Sequence, residues 1–177
     1  MTVVSRGYTL FELMITVLLL VLLSAIAVPS FSASLARNRQ RVELDALFHA
    51  IHVARKESIM RRKVVSICPS EDARTCGDAA QWSSGWLMFE NIDRDSPPRL
   101  DDGETLLQRH VVRPGVVLHA NRPGFTLRAT FLRATNGTIV VCDRGARIPA
   151  KALVISYTGR PRVALKKTNG EPYTCPA

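Results

Sequence analysis

The run YTLFELMITVLLLVLLSAIAV, Tyr8 to Val28, constrains this chain more than any other feature in it. At 1.5 Å per residue a helix of that length reaches about 30 Å, the thickness of a bilayer's hydrocarbon core. Its one strongly polar side chain is Glu12, with Thr9, Thr16 and Ser24 as mild company. A carboxylate at the centre of a span costs on the order of 2.5 to 3.5 kcal/mol and generally has a partner. No basic residue lies between Tyr8 and Arg37, so that partner is expected from outside the span. Three readings stay open on these residues alone. One is a secretory signal peptide, with Arg6 as its charged end and Ala25-Ile26-Ala27 as an A-x-A cleavage site. The second is a plain anchor with Glu12 near the interface, and the third gives Glu12 a function of its own.

The remainder of the 177-residue chain has the size of one domain. Past Pro29, residues Phe31, Leu35, Val42, Ala46, Val53 and Met60 recur at spacings of four and seven, and Leu47, Ile51 and Ala54 widen the same face. That pattern predicts an amphipathic helix continuing to about Arg62. Its outer face is expected to carry Arg37, Arg39, Arg41, Arg55, Lys56, Arg61, Arg62 and Lys63 against Glu43, Asp45 and Glu57, a distribution that solvation explains.

Beyond Lys63 the signals change to strands. Short β-branched or aromatic runs stand at 64–68, 86–90, 105–112, 116–120, 126–132, 138–142, 152–157 and 162–165, separated by Gly, Pro, Asn and Asp. Asn136-Gly137 predicts a hairpin turn. The acidic segment from Glu71 to Glu104, with Ser96-Pro97-Pro98, is the expected long or mobile loop region. The class is therefore α+β: a long N-terminal helix, apolar over 8–29 and amphipathic over 30–63, packed on an antiparallel β-rich head over 64–177.

Four cysteines, Cys68, Cys76, Cys142 and Cys175, lie past the apolar run and form no CxxC. An even count in an exported domain favours disulfides over zinc. Local spacing favours Cys68 with Cys76, and Cys142 with Cys175 would tie the last residues to a core strand, but four cysteines allow three connectivities. His49 and His52 on the helix, or His110 and His119, have no carboxylate or cysteine at ligand spacing, so neither a metal nor another cofactor is expected. GxSxG, HExxH and a phosphate-cradling loop are missing, and no enzyme emerges.

Charge placement is more informative. The net charge is +9, but residues 71–104 hold nine acids and three bases, whereas residues 109–167 hold twelve bases and the single acid Asp143. A field of that sign recruits polyanions, among which phosphate backbones are the commonest. It also serves simply to keep a head soluble or to face acidic neighbours. Within the tract, Gly159-Arg160-Pro161-Arg162 stands out. Pro161 biases Arg160 toward an extended conformation, which would set the guanidiniums of Arg160 and Arg162 on one side about 6.6 Å apart. Lys166 and Lys167 follow at once, and Arg144, Arg147 and Lys151 are candidates by charge alone. Tyr157 and Tyr173 are the nearby rings, so base stacking is expected to be minor and binding sequence-independent.

A short leader ending in Gly7, then Tyr8-Thr9-Leu10-Phe11-Glu12 and an apolar helix with Pro29, resembles the class III signal of type IV pilins and type II secretion pseudopilins. The stretches WSSGWLMFENIDRD, NGTIVVCDRG and VISYTGRPRV resemble the GspH/FimT/FimU group, and GRPR resembles the GRxR element of FimT-type minor pilins. The resemblance implies a 1–7 leader cut after Gly7 by a prepilin peptidase that also methylates Tyr8. It implies that Glu12 aligns with the terminal amine of a neighbouring subunit, and that Pro29 bends the helix where it leaves the membrane. Other major and minor pilins would be the partners. The chain would sit in the inner membrane, head in the periplasm, before entering a pilus or pseudopilus. The GRxR element implies DNA binding during natural transformation. The alternative within the same resemblance is a structural minor pilin or pseudopilin that primes assembly or secretion and touches protein only.

Overall fold

The computed structural model describes residues 9–78, 82–129 and 133–175. Helix α1 spans Leu10–Arg61, with Pro29 inside it. Two compact units divide the chain, one through Leu35 and the other from Ala36 onward.

In the first unit, Thr9 and Glu12 start the helix reciprocally. The Glu12 carboxylate accepts from the Thr9 amide at 2.9 Å and its hydroxyl at 3.1 Å, while the Glu12 amide donates to Thr9 Oγ1 at 3.3 Å. This T-x-x-E capping box satisfies donors that a helix start leaves orphaned. Thr9 is thus a neutral hydrogen-bond partner for Glu12 within the apolar run, not the counter-ion expected from outside it. The hydroxyls of Thr16, Ser24 and Ser32 donate to the carbonyls three residues earlier, so they carry no unpaired donor into an apolar surrounding. Every large hydrophobic from Leu10 to Phe31 is exposed, and by length and composition the helix can cross a membrane. What covers this surface is not the chain itself.

In the second unit the helix lies on two four-stranded antiparallel sheets. Strands β1 (Val65–Pro69), β2 (Gly85–Glu90), β3 (Leu106–Val111) and β5 (Phe125–Leu127) form the first, in the order β3-β2-β1-β5. Strands β4 (Val116–Ala120), β6 (Gly137–Asp143), β7 (Lys151–Ile155) and β8 (Pro161–Ala164) form the second, in the order β4-β6-β7-β8. One core joins the helix (Leu44, Leu47, Ile51, Ala54) to both sheets (Ile67, Trp86, Phe125, Ile139, Leu153).

The buried face of the helix differs from the expected one. Ala36, Gln40, Glu43, Leu44, Leu47, Ala50, Ile51, Ala54 and Ser58 are buried, whereas Phe31, Leu35, Val53 and Met60 are exposed. Small side chains on the contact line let the helix lie close to the strands, and a count of large apolar residues misses them. Gln40 shows the closeness, its Nε2 donating to the carbonyls of both Val141 and Pro149. Glu43, expected on the outer face, has no exposed surface; it receives His110 Nε2 at 2.7 Å and the Arg113 amide at 3.2 Å. A buried carboxylate requires such partners.

Three further expectations are corrected. Asn136-Gly137 is not a hairpin turn, because β5 pairs with β1 while β6 pairs with β4 and β7. Gly137 opens β6, where a Cβ would meet Asn121 Oδ1 at 2.6 Å and Phe125 Cε1 at 2.9 Å; close approach, not turn geometry, requires the glycine. The strand expected over 126–132 stops at Leu127, and 130–132 lie outside the described residues. The acidic region 71–104 holds the expected strand β2, and its first loop is tied down and not mobile: Asp72 accepts from the amides of Arg74 and Thr75 and from the hydroxyls of Ser70 and Thr75, which hold its carboxyl well below the usual range. A disulfide between Cys68 and Cys76 closes that loop.

Candidate nucleic-acid interface

The β7–β8 hairpin positions the GRPR element. Ser156 closes the turn: its carbonyl accepts from the Gly159 amide at 2.8 Å, its amide donates to the Arg160 carbonyl at 3.1 Å, and its hydroxyl accepts from the Arg160 amide at 3.2 Å. Gly159 has φ +69°, the left-handed region that costs a side-chain-bearing residue about 1 kcal/mol or more. A Cβ there would also lie 2.8 Å from Leu127 Cδ1 and 3.1 Å from Arg55 Nη1. The glycine of the motif is therefore required twice, by torsion and by space.

Strand β8 begins at Pro161, so Arg160 belongs to the turn and Arg162 to the strand. Both are exposed, but they are not successive same-side residues of one strand. In register, Arg162 faces Val154 of β7, which faces Thr138 of β6. These side chains share the sheet face turned away from the core. His119, Asn121, Val140, Lys167 and Tyr173 join them around an open groove of about 560 Å³. The groove's far wall is the chain's last segment, held by a Lys166–Pro172 bridge, a hydrogen bond from the Lys167 amide to the Glu171 carbonyl, and a disulfide from Cys175 to Cys142 of β6. A second concavity beside it shares His119 and is lined by Arg144, Cys142 and Cys175.

The remaining candidates divide. Arg147 forks onto Asp143, with Nη2 to Oδ1 at 2.6 Å and Nε to Oδ2 at 2.9 Å; that guanidinium holds the Asp143 carboxyl below its usual range and is spent doing so. Lys151 pairs with Val141 on the opposite face of the sheet from Arg162. Lys167 lies 3.7 Å from Glu171, an exposed pair worth little. Arg144, Arg160, Arg162 and Lys166 form no ion pair among the described residues. Sequence reasoning passed over Arg55 and Arg133, which the fold brings to the Ser156–Arg160 turn: Arg55 packs on Gly159, and the Arg133 guanidinium lies 5.5 Å from the Tyr157 ring centre. Arg55 reads in sequence as a solvated helix base and Arg133 as one of the twelve bases of the 109–167 tract; their nearness to GRPR has no linear signal. Gly7 and Tyr8, the expected processing site, lie outside the described residues.

Residues 43–159 match the family described as type II transport protein GspH. The chain belongs to the GspH family. The match ends at the glycine of GRPR, so Arg160 and Arg162 fall just beyond it. Among solved structures, the type IV minor pilin FimU of Pseudomonas aeruginosa strain PAO1 aligns with TM-score 0.54 and 21% identity, covering 78% of this chain and 96% of that one. The minor pseudopilin EpsH from the type 2 secretion system of Vibrio cholerae aligns with TM-score 0.51 and 11% identity, covering 71% and 96%. At these identities the likeness is one of fold: a long N-terminal helix packed on antiparallel sheets. No curated protein matches the sequence. The chain thus joins GspH family membership to a fold shared with the minor pilin FimU and the minor pseudopilin EpsH.

Proposed function

We propose that this GspH-family protein is a type IV minor pilin that enters its filament through the apolar half of α1 and binds extracellular DNA, without sequence preference, through basic side chains of its head for uptake in natural transformation. The observation that carries the DNA reading is a set of exposed basic side chains on the second sheet and the segments that flank it. Arg162 lines the groove, Arg160 stands on the adjoining turn, Lys166 and Arg144 flank the tail, and no ion pair among the described residues neutralises them. Guanidiniums free of carboxylates suit phosphate oxygens. Assembly rests on the uncovered hydrophobic surface from Leu10 to Phe31, which needs lipid before assembly and neighbouring subunits afterwards. In this reading a prepilin peptidase cuts after Gly7, Glu12 exchanges its capping box for the amine of a neighbouring chain, and Pro29 marks the exit from the inner membrane.

The test is fluorescence anisotropy of the full chain in detergent with duplexes of unrelated sequence over a range of salt. The double variant Arg160→Gln/Arg162→Gln weakens binding equally for every duplex and lowers the salt slope by about two, close to one unit per lost phosphate contact. Unchanged affinity and slope overturn the assignment. The structural alternative, a minor pilin or pseudopilin that contacts only protein, draws on the GspH match and the EpsH fold; wild-type protein that ignores DNA at low salt yet binds other minor pilins establishes it.

A further inference from the structure

We propose that the Ser156–Arg160 turn is a single-strand site in which Tyr157 stacks on an unpaired nucleobase while the surrounding guanidiniums hold the flanking phosphates. This rests on the DNA reading above and specifies the form of DNA that this end of the head takes.

A lone exposed tyrosine is unremarkable on a protein surface. Tyr157 differs in how it is held and in what surrounds it. The residue is 56% exposed although its backbone is fixed. Its carbonyl accepts from the Ala134 amide at 2.9 Å, and the turn that carries it is closed by the bonds from Gly159, Ser156 and Arg160 described above. A hydroxyl pair between Ser156 and Thr158 at 2.8 Å adds a further tie. An aromatic face presented to water from a fixed turn is a preorganised platform, because little freedom remains to be lost on binding.

Three guanidiniums stand at the ring or at the turn that carries it. Arg133 lies over it at 5.5 Å, Arg55 packs against Gly159 two residues on, and Arg160 closes the same turn. None of the three is in an ion pair among the described residues. Continuing along β8, Arg162 lines the separate groove that also holds the Tyr173 ring. A ring set among cations, followed by a cationic groove with a second ring, is the combination that binds single strands. Duplex DNA keeps its base faces stacked inside the helix and offers only phosphates and groove edges, so it engages the guanidiniums and not the ring.

Anisotropy titrations of the full chain in detergent, with three probes of equal length, test the assignment. The probes are an oligo(dT) strand of about 12 nucleotides, an abasic strand of the same phosphate count, and a duplex. Wild-type protein is expected to bind oligo(dT) more tightly than the abasic strand. Tyr157→Ala is expected to lose about tenfold for oligo(dT), within the range seen for single base–aromatic contacts, and to leave the abasic strand and the duplex unchanged. Tyr157→Phe retains the wild-type order, because the ring and not the hydroxyl does the stacking. Equal wild-type affinity for oligo(dT) and the abasic strand overturns the inference, as does a Tyr157→Ala variant that binds oligo(dT) normally or weakens all three probes alike. In those cases the DNA reading stands on the duplex result. Wild-type protein that binds none of the probes removes the DNA reading, and this inference with it.

Discussion

Removing the Cys142–Cys175 bridge tests how the head holds its basic edge. The variant is Cys142→Ala/Cys175→Ser, which leaves no odd thiol. The bridge spans 33 residues, and loop-closure arithmetic assigns it about 3.7 kcal/mol at 25 °C; the same arithmetic gives about 2.5 kcal/mol for the 8-residue Cys68–Cys76 loop. With a urea slope near 2 kcal/mol/M, the larger loss moves the unfolding midpoint down by about 1 to 2 M. Tryptophan emission is the assay, because the two tryptophans of the chain, Trp82 and Trp86, are both fully buried in the head and blind to the apolar half of α1. Without the bridge, the tail keeps, among the described residues, the Lys166–Pro172 pairing and its own turn bonds, so the groove loses its far wall and duplex affinity falls as well. A midpoint that does not move, or a smaller effect than that of cutting the Cys68–Cys76 loop, refutes the loop-length reasoning.

Gly159→Ala is expected to cost about 1 to 2 kcal/mol by the same emission assay, since it forces a side chain into the left-handed region at φ +69° and against Leu127. Glu90 gives a pH dependence. Lys63 first, and then Arg61, hold its buried carboxyl below the ordinary value of 4.5 against the opposing effect of burial. Its folded-state pKa therefore lies below its unfolded one, so its contribution is complete above pH 4.5 and is lost as pH falls through the folded value. Glu90→Gln should flatten acid unfolding in that window, and an unaltered acid limb would show that the pair contributes nothing. Thr9→Val removes the hydroxyl of the capping box and weakens the helix start by about 1 kcal/mol, whereas Glu12→Ala removes the carboxylate and leaves the Thr9 hydroxyl on the residue-12 amide. If Glu12 serves assembly, only Glu12→Ala abolishes filament incorporation, read by immunoblot of sheared filaments; equal incorporation of both variants reduces Glu12 to a cap.

The apolar run, the strand positions and the uneven charge are properties of neighbouring residues, and the chain's order alone displays them. Length and hydropathy dictate that residues 8–28 need an apolar surrounding, and β-branched runs between turn residues place all eight strands to within a few residues, apart from the truncated β5. Pairing between distant segments is a different matter. Which helix face is buried depended on small residues and on Gln40 fitting close to β6, which no tally of large hydrophobics detects. Glu43 reads as a surface charge until His110 and Arg113, nearly seventy residues away, arrive to satisfy it. Asn136-Gly137 has the local chemistry of a turn, yet the sheets claim its flanks for different partners. At the candidate interface the sequence determined the motif and its charge. Tertiary structure decided which charges are free, because Asp143 takes Arg147 and the sheet turns Lys151 to its other face. It also decided that Arg55, Arg133 and Tyr157 meet at one turn, since only folding brings a helix, a crossover and a hairpin to the same few ångströms.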